Sequence, residues 1–169
     1  SYGGKAVLYG GAGNDVLASG AGNDFVFTGG GTDTVNTGAG DDTIIVNGPI
    51  AAGSTFDGGD DNDTLAASMA AVTGGPSFPG DIYSTVNLLG NSVLGMETIR
   101  FDSQAGENLR VRVGAGQMGQ VTGLSGGAGS DQLQVLVFSN ETTNFALSPL
   151  TLTNWNSEVT VYDDNVVLV

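Results

Sequence analysis

Apolar and polar positions alternate over short stretches of this chain, and glycine-rich turns separate the stretches. Between residues 10 and 45 the alternation recurs every nine residues, with an aliphatic residue at the eighth position of each unit: Leu17, Val26, Val35 and Ile44. A period of two places that residue on one face of a strand and its two neighbours on the other. The pattern therefore predicts short β-strands that each contribute one inward side chain.

The second part of the chain loses the nine-residue phase but keeps the strand pattern. Alternating segments occur at 98–101, 109–113, 133–138, 150–153 and 159–162, and turn signals separate them. We predict an all-β fold: a parallel β-roll or β-solenoid over residues 1–66, continuing over 67–169 into wider β rungs or a packed β cap. A separate sandwich packed against the roll is the alternative for the second part.

The repeat itself is a Gly-rich turn followed by a strand. The four phased units are 10–18, 19–27, 28–36 and 37–45. Their fourth position is always Gly and their sixth is always Asp: Gly13, Gly22, Gly31 and Gly40, then Asp15, Asp24, Asp33 and Asp42. Two repeats would close one 18-residue coil, so the turns alternate between the two edges of a stack of coils.

This stacking predicts columns of like charge. Asp15 and Asp33 lie on one edge, and Asp24 and Asp42 lie on the other. Adjacent coils are about 4.8 Å apart, where two carboxylates repel by roughly 1 kcal/mol in water and several-fold more near a protein surface. A hard dication between them turns the repulsion into attraction, and Ca²⁺ accepts 6–8 oxygens in loose geometry, including backbone carbonyls. The columns therefore indicate calcium sites.

Composition narrows the function further. The chain has 169 residues, a formal net charge of −14 and four basic residues, so a nucleic-acid partner, which needs several phosphate contacts, is excluded. Cys and His are absent, which removes the usual ligands of zinc, copper and iron as well as thiol and His-based catalysis. No apolar run reaches 18 residues, so we expect no transmembrane segment.

The four units resemble the RTX (haemolysin-type) repeats, whose pattern is Gly-Gly-x-Gly-x-Asp-x-aliphatic-x. The resemblance implies a Ca²⁺ between repeats one coil apart, held by both Asp side chains and by carbonyls of turn positions one to four. The first implied site comprises Gly11, Gly13, Asp15, Thr28, Gly30 and Asp33. The second comprises Gly20, Gly22, Asp24, Thr37, Ala39 and Asp42.

Two less regular copies extend the prediction. Residues 46–57 interrupt the register and 58–66 restore it, with Asp61 at the fourth position where Gly belongs. If the interruption is one enlarged repeat, a third site comprises Gly38, Gly40, Asp42, Gly58, Asp60 and Asp63. A solitary copy at 126–134 carries Asp131, which is either part of an isolated rung or the partner of a carboxylate from a neighbouring coil.

The resemblance implies a calcium-binding domain of a secreted bacterial protein, folded on extracellular Ca²⁺ and structural rather than catalytic. The residues at 163–169, acidic and then apolar, fit a C-terminal type I export signal or simply a last strand. A calcium-dependent surface-layer or adhesin assembly protein, with self-assembly, is the first alternative. A β-solenoid carbohydrate-active enzyme is the second. Phe25 and Phe27 flank an inward residue, so we expect another segment, or a further part of the parent protein, to cover their outer face.

Overall fold

The strands follow one another along a single stack of coils. The computed structural model describes residues 3–72, 82–137, 150–155 and 158–163, so residues 164–169 of the predicted export signal lie outside the described part. The strands are β1 Val7–Ala12, β2 Val16–Ala21, β3 Phe25–Gly30, β4 Thr34–Ala39, β5 Thr43–Val46, β6 Thr55–Asp60, β7 Thr64–Ser68, β8 Ser84–Asn87, β9 Ser92–Leu94, β10 Thr98–Asp102, β11 Asn108–Gly114, β12 Gly123–Ser125, β13 Ser130–Val137, β14 Thr151–Thr153 and β15 Glu158–Asp163.

The strands form three parallel sheets that run along the stack. One sheet has the order β1-β3-β5-β7-β10-β12-β14, the second β2-β4-β6-β9, and the third β15-β13-β11-β8. Each strand therefore pairs with the strand one coil away, and the first sheet runs through both parts of the chain. The fold is the predicted all-β solenoid, with the later strands forming wider rungs.

The register gives the length of each coil. Leu8 pairs with Val26, and Val26 with Ile44, which is the predicted step of two nine-residue repeats. Ile44 then pairs with Leu65, because the irregular segment 46–57 is longer than a repeat by three residues. The chain absorbs this insertion as one enlarged repeat and keeps the stack in phase.

The strands are longer than the three residues that the repeat suggested. In β2, pairing covers positions seven to nine, skips Ser19 and resumes at Gly20 and the residue after it. Glycines at the second position make this possible, since Gly20 has a φ of +117°, a region that side chains disfavour. In the copy at 58–66, Asp61 occupies the fourth position and adopts a φ of +83°. The turn is therefore kept although a non-glycine residue is strained in this conformation.

The core is a narrow column in the repeats and broadens beyond them. Val26, Val35 and Ile44 are fully buried, as predicted, while Leu17 in the first coil is half-buried because a coil packs on only one side of it. Later rungs add larger side chains to the same cluster: Phe56, Leu65, Ile99, Phe101, Leu109, Val111, Leu124 and Leu133. Burial of such side chains contributes roughly 1.5–3 kcal/mol each.

Tyr9 and Lys5 cover part of the two Phe rings on the outer face of the first sheet. The ring of Tyr9 stacks on that of Phe27 with centroids 4.8 Å apart, and the Lys5 ammonium lies 4.4 Å from the centre of the Phe25 ring. Both Phe rings are half-buried, so neither is fully solvated. Neighbouring rungs of the face contribute this cover.

The helical content of the described residues consists of two single 3₁₀ turns, Met69–Ala71 and Ala115–Met118. Across the described ranges, no helix has the length and apolar character needed to span a bilayer.

Candidate calcium sites between the coils

The sixth position of each repeat begins a ladder of hydrogen bonds between coils. On one edge, which we call the Asp15 column, the N–H of Asp15 donates to Oδ1 of Asp33 at 3.0 Å. The N–H of Asp33 then donates to the Ser54 hydroxyl at 3.1 Å, and that of Ser54 to Oδ1 of Asn91 at 2.9 Å. Each side chain thus caps a backbone donor of the preceding coil, and the column changes from acidic to neutral.

The opposite edge, the Asp24 column, stays acidic. The N–H of Ala6 donates to Oδ1 of Asp24 at 2.6 Å, and that of Asp24 to Oδ1 of Asp42 at 2.7 Å. The N–H of Asp42 donates to Oδ1 of Asp63 at 2.8 Å, and that of Asp63 to Oε2 of Glu97 at 2.8 Å. Carboxylates therefore stack on one another from coil to coil.

The other oxygen of each repeat aspartate is what makes these columns metal sites. Within the described residues, the buried Oδ2 atoms of five aspartates have no hydrogen-bond partner: Asp15, Asp24, Asp33, Asp42 and Asp63. A buried unpaired polar atom costs about 1–3 kcal/mol, and a charged one more. A hard cation that prefers oxygen satisfies all of them, so the residues fit Ca²⁺.

Side chains alone do not complete a coordination shell here. The described ranges contain no cluster of three or more acidic, Cys or His side chains. Two carboxylates from adjacent coils must therefore be joined by backbone carbonyls of the turns, which Ca²⁺ accepts readily.

The pKa values of the column aspartates show that burial without a cation disfavours their ionised form. Burial raises the pKa of Asp33 and Asp42, and the N–H groups they cap partly offset it. Burial raises the pKa of Asp63 to about 6, where the neighbouring carboxylates of Asp42, Glu97 and Asp41 add to the shift. The folded stack thus disfavours its own ionised form.

This shift predicts opposite pH dependence with and without calcium. A raised pKa in the folded state means that the folded chain binds more protons than the unfolded chain, so stability falls as pH rises from about 4 to 6. In calcium-free buffer the chain should therefore keep more β-sheet circular dichroism near pH 4 than near pH 7. In excess Ca²⁺ the circular dichroism that is retained on heating should rise with pH, because the ligating carboxylates must be ionised. The same pH trend with and without Ca²⁺ would contradict this.

The turns predicted for the first site lie directly over one another. The N–H of Gly13 donates to the carbonyl of Gly30 at 2.8 Å. A Cβ on Gly10 would collide with the Thr28 carbonyl oxygen and lie 3.0 Å from Oδ2 of Asp15, so these two oxygens flank one point. The structure brings together all six predicted residues: Gly11, Gly13, Asp15, Thr28, Gly30 and Asp33.

The second predicted site repeats the arrangement on the other edge. The N–H of Gly22 donates to the Ala39 carbonyl at 2.7 Å, and the Ser19 hydroxyl donates to the Thr37 carbonyl at 2.9 Å. The six predicted residues again occupy two adjacent turns: Gly20, Gly22, Asp24, Thr37, Ala39 and Asp42.

The third predicted site bridges the enlarged repeat. The N–H of Gly40 donates to the Asp60 carbonyl at 3.3 Å, and the Thr37 hydroxyl donates to the Gly58 carbonyl at 2.7 Å. Register pairs Gly38 with Gly59, the same pairing of second turn positions as in the regular repeats. The structure places the six predicted residues on facing turns: Gly38, Gly40, Asp42, Gly58, Asp60 and Asp63.

Asp131 lies apart from these columns. It begins the buried part of β13, opposite Leu109 of β11 rather than opposite an acidic residue of that strand. Its Oδ2 accepts the N–H of Gly127 at 2.7 Å, which closes the turn of the solitary repeat.

Sequence reasoning missed Ser54, Asn91 and Glu97 as members of the columns. Each immediately precedes a strand whose first three residues alternate between outward and inward positions, as the repeat aspartates do. These three-residue segments are 55–57, 92–94 and 98–100. That spacing is a usable signal, but it lacks the glycines that made the repeats visible.

Comparison with known families agrees with this geometry. Residues 7–44 and 54–68 match the family model of the RTX calcium-binding nonapeptide repeat, in four copies. No curated protein and no solved structure matches the chain. The matched residues are the coils whose turns carry the paired aspartates. Residues 7–44 and 54–68 are therefore RTX calcium-binding nonapeptide repeats, and they form the β-roll that begins the solenoid.

Proposed function

We propose that this chain is a calcium-dependent structural module of a secreted bacterial protein, which folds outside the cell. The observation that carries the proposal is the set of five buried Oδ2 atoms without a hydrogen-bond partner in the described coils. At neutral pH a fold that buries ionised carboxylates in this way needs a cation to neutralise them. When bound, calcium supplies the positive charge and the oxygen coordination that join adjacent coils.

Three sites follow from the paired carboxylates of adjacent turns. Two lie on the Asp24 column, between Asp24 and Asp42 and between Asp42 and Asp63. One lies on the other column, between Asp15 and Asp33. Ser54 follows Asp33 on that column, so the next interval there has a single carboxylate and is a weaker candidate.

Secretion is supported by the dependence of the fold on calcium rather than on disulfides. It contains no Cys, so no disulfide closes its thin coils, and calcium is the cross-link that remains. Extracellular calcium modules bind in the range of about 10⁻⁴–10⁻³ M, far above cytosolic calcium. Such a chain stays loosely folded inside the cell and becomes compact outside it.

A calcium titration tests the proposed role. CaCl₂ is added to the calcium-free full-length chain while far-ultraviolet circular dichroism is followed. We expect β-sheet signal to appear cooperatively with a midpoint of about 10⁻⁴–10⁻³ M. MgCl₂ is the control and should give little change, because Mg²⁺ demands a stricter octahedron and keeps its water. A midpoint at or below about 10⁻⁶ M, or no transition, would contradict folding on extracellular calcium.

A further inference from the structure

The Asp24 column does not end with the matched repeats. Glu97 stands immediately before β10, as Asp63 stands immediately before β7. Its Oε2 accepts the N–H of Asp63 at 2.8 Å, the contact that an aspartate makes everywhere else in this column. Glu97 thus takes the sixth-position role of a coil that has no RTX sequence, 34 residues after Asp63.

The free oxygen of Asp63 points toward that next coil. Asp63 is 1% exposed, and its Oδ2 has no hydrogen-bond partner among the described residues. A Cβ on Gly58 would lie 2.5 Å from this Oδ2 and would collide with the carbonyl oxygen of Gly95. The two oxygens therefore flank one point beside Gly58, as those of Thr28 and Asp15 flank one point beside Gly10.

The charged neighbours of Asp63 along the column are acidic. Asp63 has Asp42 behind it in the column and Glu97 ahead of it, so an ion ahead of Asp63 would be shared by two carboxylates. Arg100, the basic residue nearest to Glu97 in the chain, forms its ion pair with Asp102 at 2.8 Å instead. A donor set of two carboxylates and a carbonyl selects a hard cation.

We propose that Asp63 and Glu97, with the Gly95 carbonyl, form a further calcium site at the junction between the RTX coils and the wider rungs. This inference rests on the proposed function, because it assumes that the repeat coils bind calcium. At the junction the repeat strands β6 and β7 pair with β9 and β10 of the following coil. An ion at this point joins the repeat stack to the rest of the solenoid, beyond the last matched residue.

The test is calcium stoichiometry in the full-length chain, measured by equilibrium dialysis against CaCl₂. Glu97→Gln keeps an oxygen that accepts the Asp63 N–H but removes the charge, so the variant should bind one ion fewer than the parent. Glu107→Gln is the matched control, since Glu107 also accepts one backbone N–H, that of Gln104, but lies outside the columns. It should keep the parental number.

A second variant tests the same point without changing a charge. Gly58→Ala places a methyl group between Oδ2 of Asp63 and the Gly95 carbonyl, and it should also reduce the stoichiometry by one. Equal stoichiometry in the parent, Glu97→Gln and Gly58→Ala would overturn the junction site while leaving the repeat sites intact. A parent chain that binds no calcium would instead overturn the proposed function. Loss of every ion in Glu97→Gln, with lost circular dichroism, would assign Glu97 to folding and also overturn the site.

Discussion

Removing calcium with an excess of chelator is expected to abolish most of the β-sheet circular dichroism that residues 1–66 contribute. In these coils the inward column is one side chain wide, and the turns bury carboxylates that repel one another. Hydrophobic burial is therefore smallest where electrostatic cost is greatest, and the conformational entropy of many glycines opposes folding further. Binding of the cation removes the carboxylate repulsion and so makes folding of these coils favourable.

Amide hydrogen exchange followed by mass spectrometry localises the change. Peptides from residues 7–68 should lose protection on chelation, whereas β11 and β13 should keep more, because their paired strands enclose larger side chains. Restoring Ca²⁺ should return the protection, and the same concentration of Mg²⁺ should not. Unchanged protection of residues 7–68 in excess chelator would show that the coils fold without the ion.

Replacing Asp42 by Asn is expected to have a larger effect than the same substitution of Asp15, Asp24 or Asp33, which belong to one proposed site each. Asp42 belongs to two proposed sites, because it stands between Asp24 and Asp63 in the column. The Asn side chain keeps the oxygen that caps the Asp24 N–H but removes the charge. At a calcium concentration about ten times the dissociation constant, each lost site costs about 1.4 kcal/mol, so the variant should lose about 3 kcal/mol and two ions.

The neighbouring Asp41 offers a matched control. Its side chain is exposed and accepts the N–H of Asn62 at 3.2 Å, outside the buried column, so Asp41→Asn should leave the calcium stoichiometry unchanged. In calcium-free buffer Asp42→Asn should instead retain more β-sheet circular dichroism than the parent, because the substitution removes a buried charge whose pKa burial raises. Chemical denaturation in Ca²⁺ measures the first effect, and circular dichroism in excess chelator measures the second. An Asp42→Asn variant as stable in calcium as the parent would refute its place in two sites.

The repeated part of the chain could be predicted because three constraints coincide in each unit. A Gly that adopts positive φ, a turn Asp and an inward aliphatic residue recur at fixed spacing, and this phase identifies the face of each side chain. Leu17, Val26, Val35 and Ile44 were placed inward on this basis, and their strands pair as expected. The turn residues and the inward aliphatic residues of each repeat thus predict the same register.

The rest of the site depends on contacts that local sequence does not encode. Glu97 meets Asp63 only because the intervening residues form an enlarged coil, and nothing in the nine-residue phase gives the length of that coil. Ser54 and Asn91 hold equivalent places on the other column without resembling a calcium ligand. The sequence predicts which residue precedes each strand. It does not predict which coil that residue will face, because this depends on the lengths of the intervening coils.

The buried ladder also has a direction. Every capped N–H of the sixth position receives its acceptor from the coil that follows it in the chain, as Asp24 does from Asp42 and Asp63 does from Glu97. During synthesis, an N-terminal coil therefore leaves the ribosome before the side chain that completes it has been made. No coil has its full set of hydrogen bonds until the next coil has been made. The ladder can therefore be completed only after the last coil of the column has emerged.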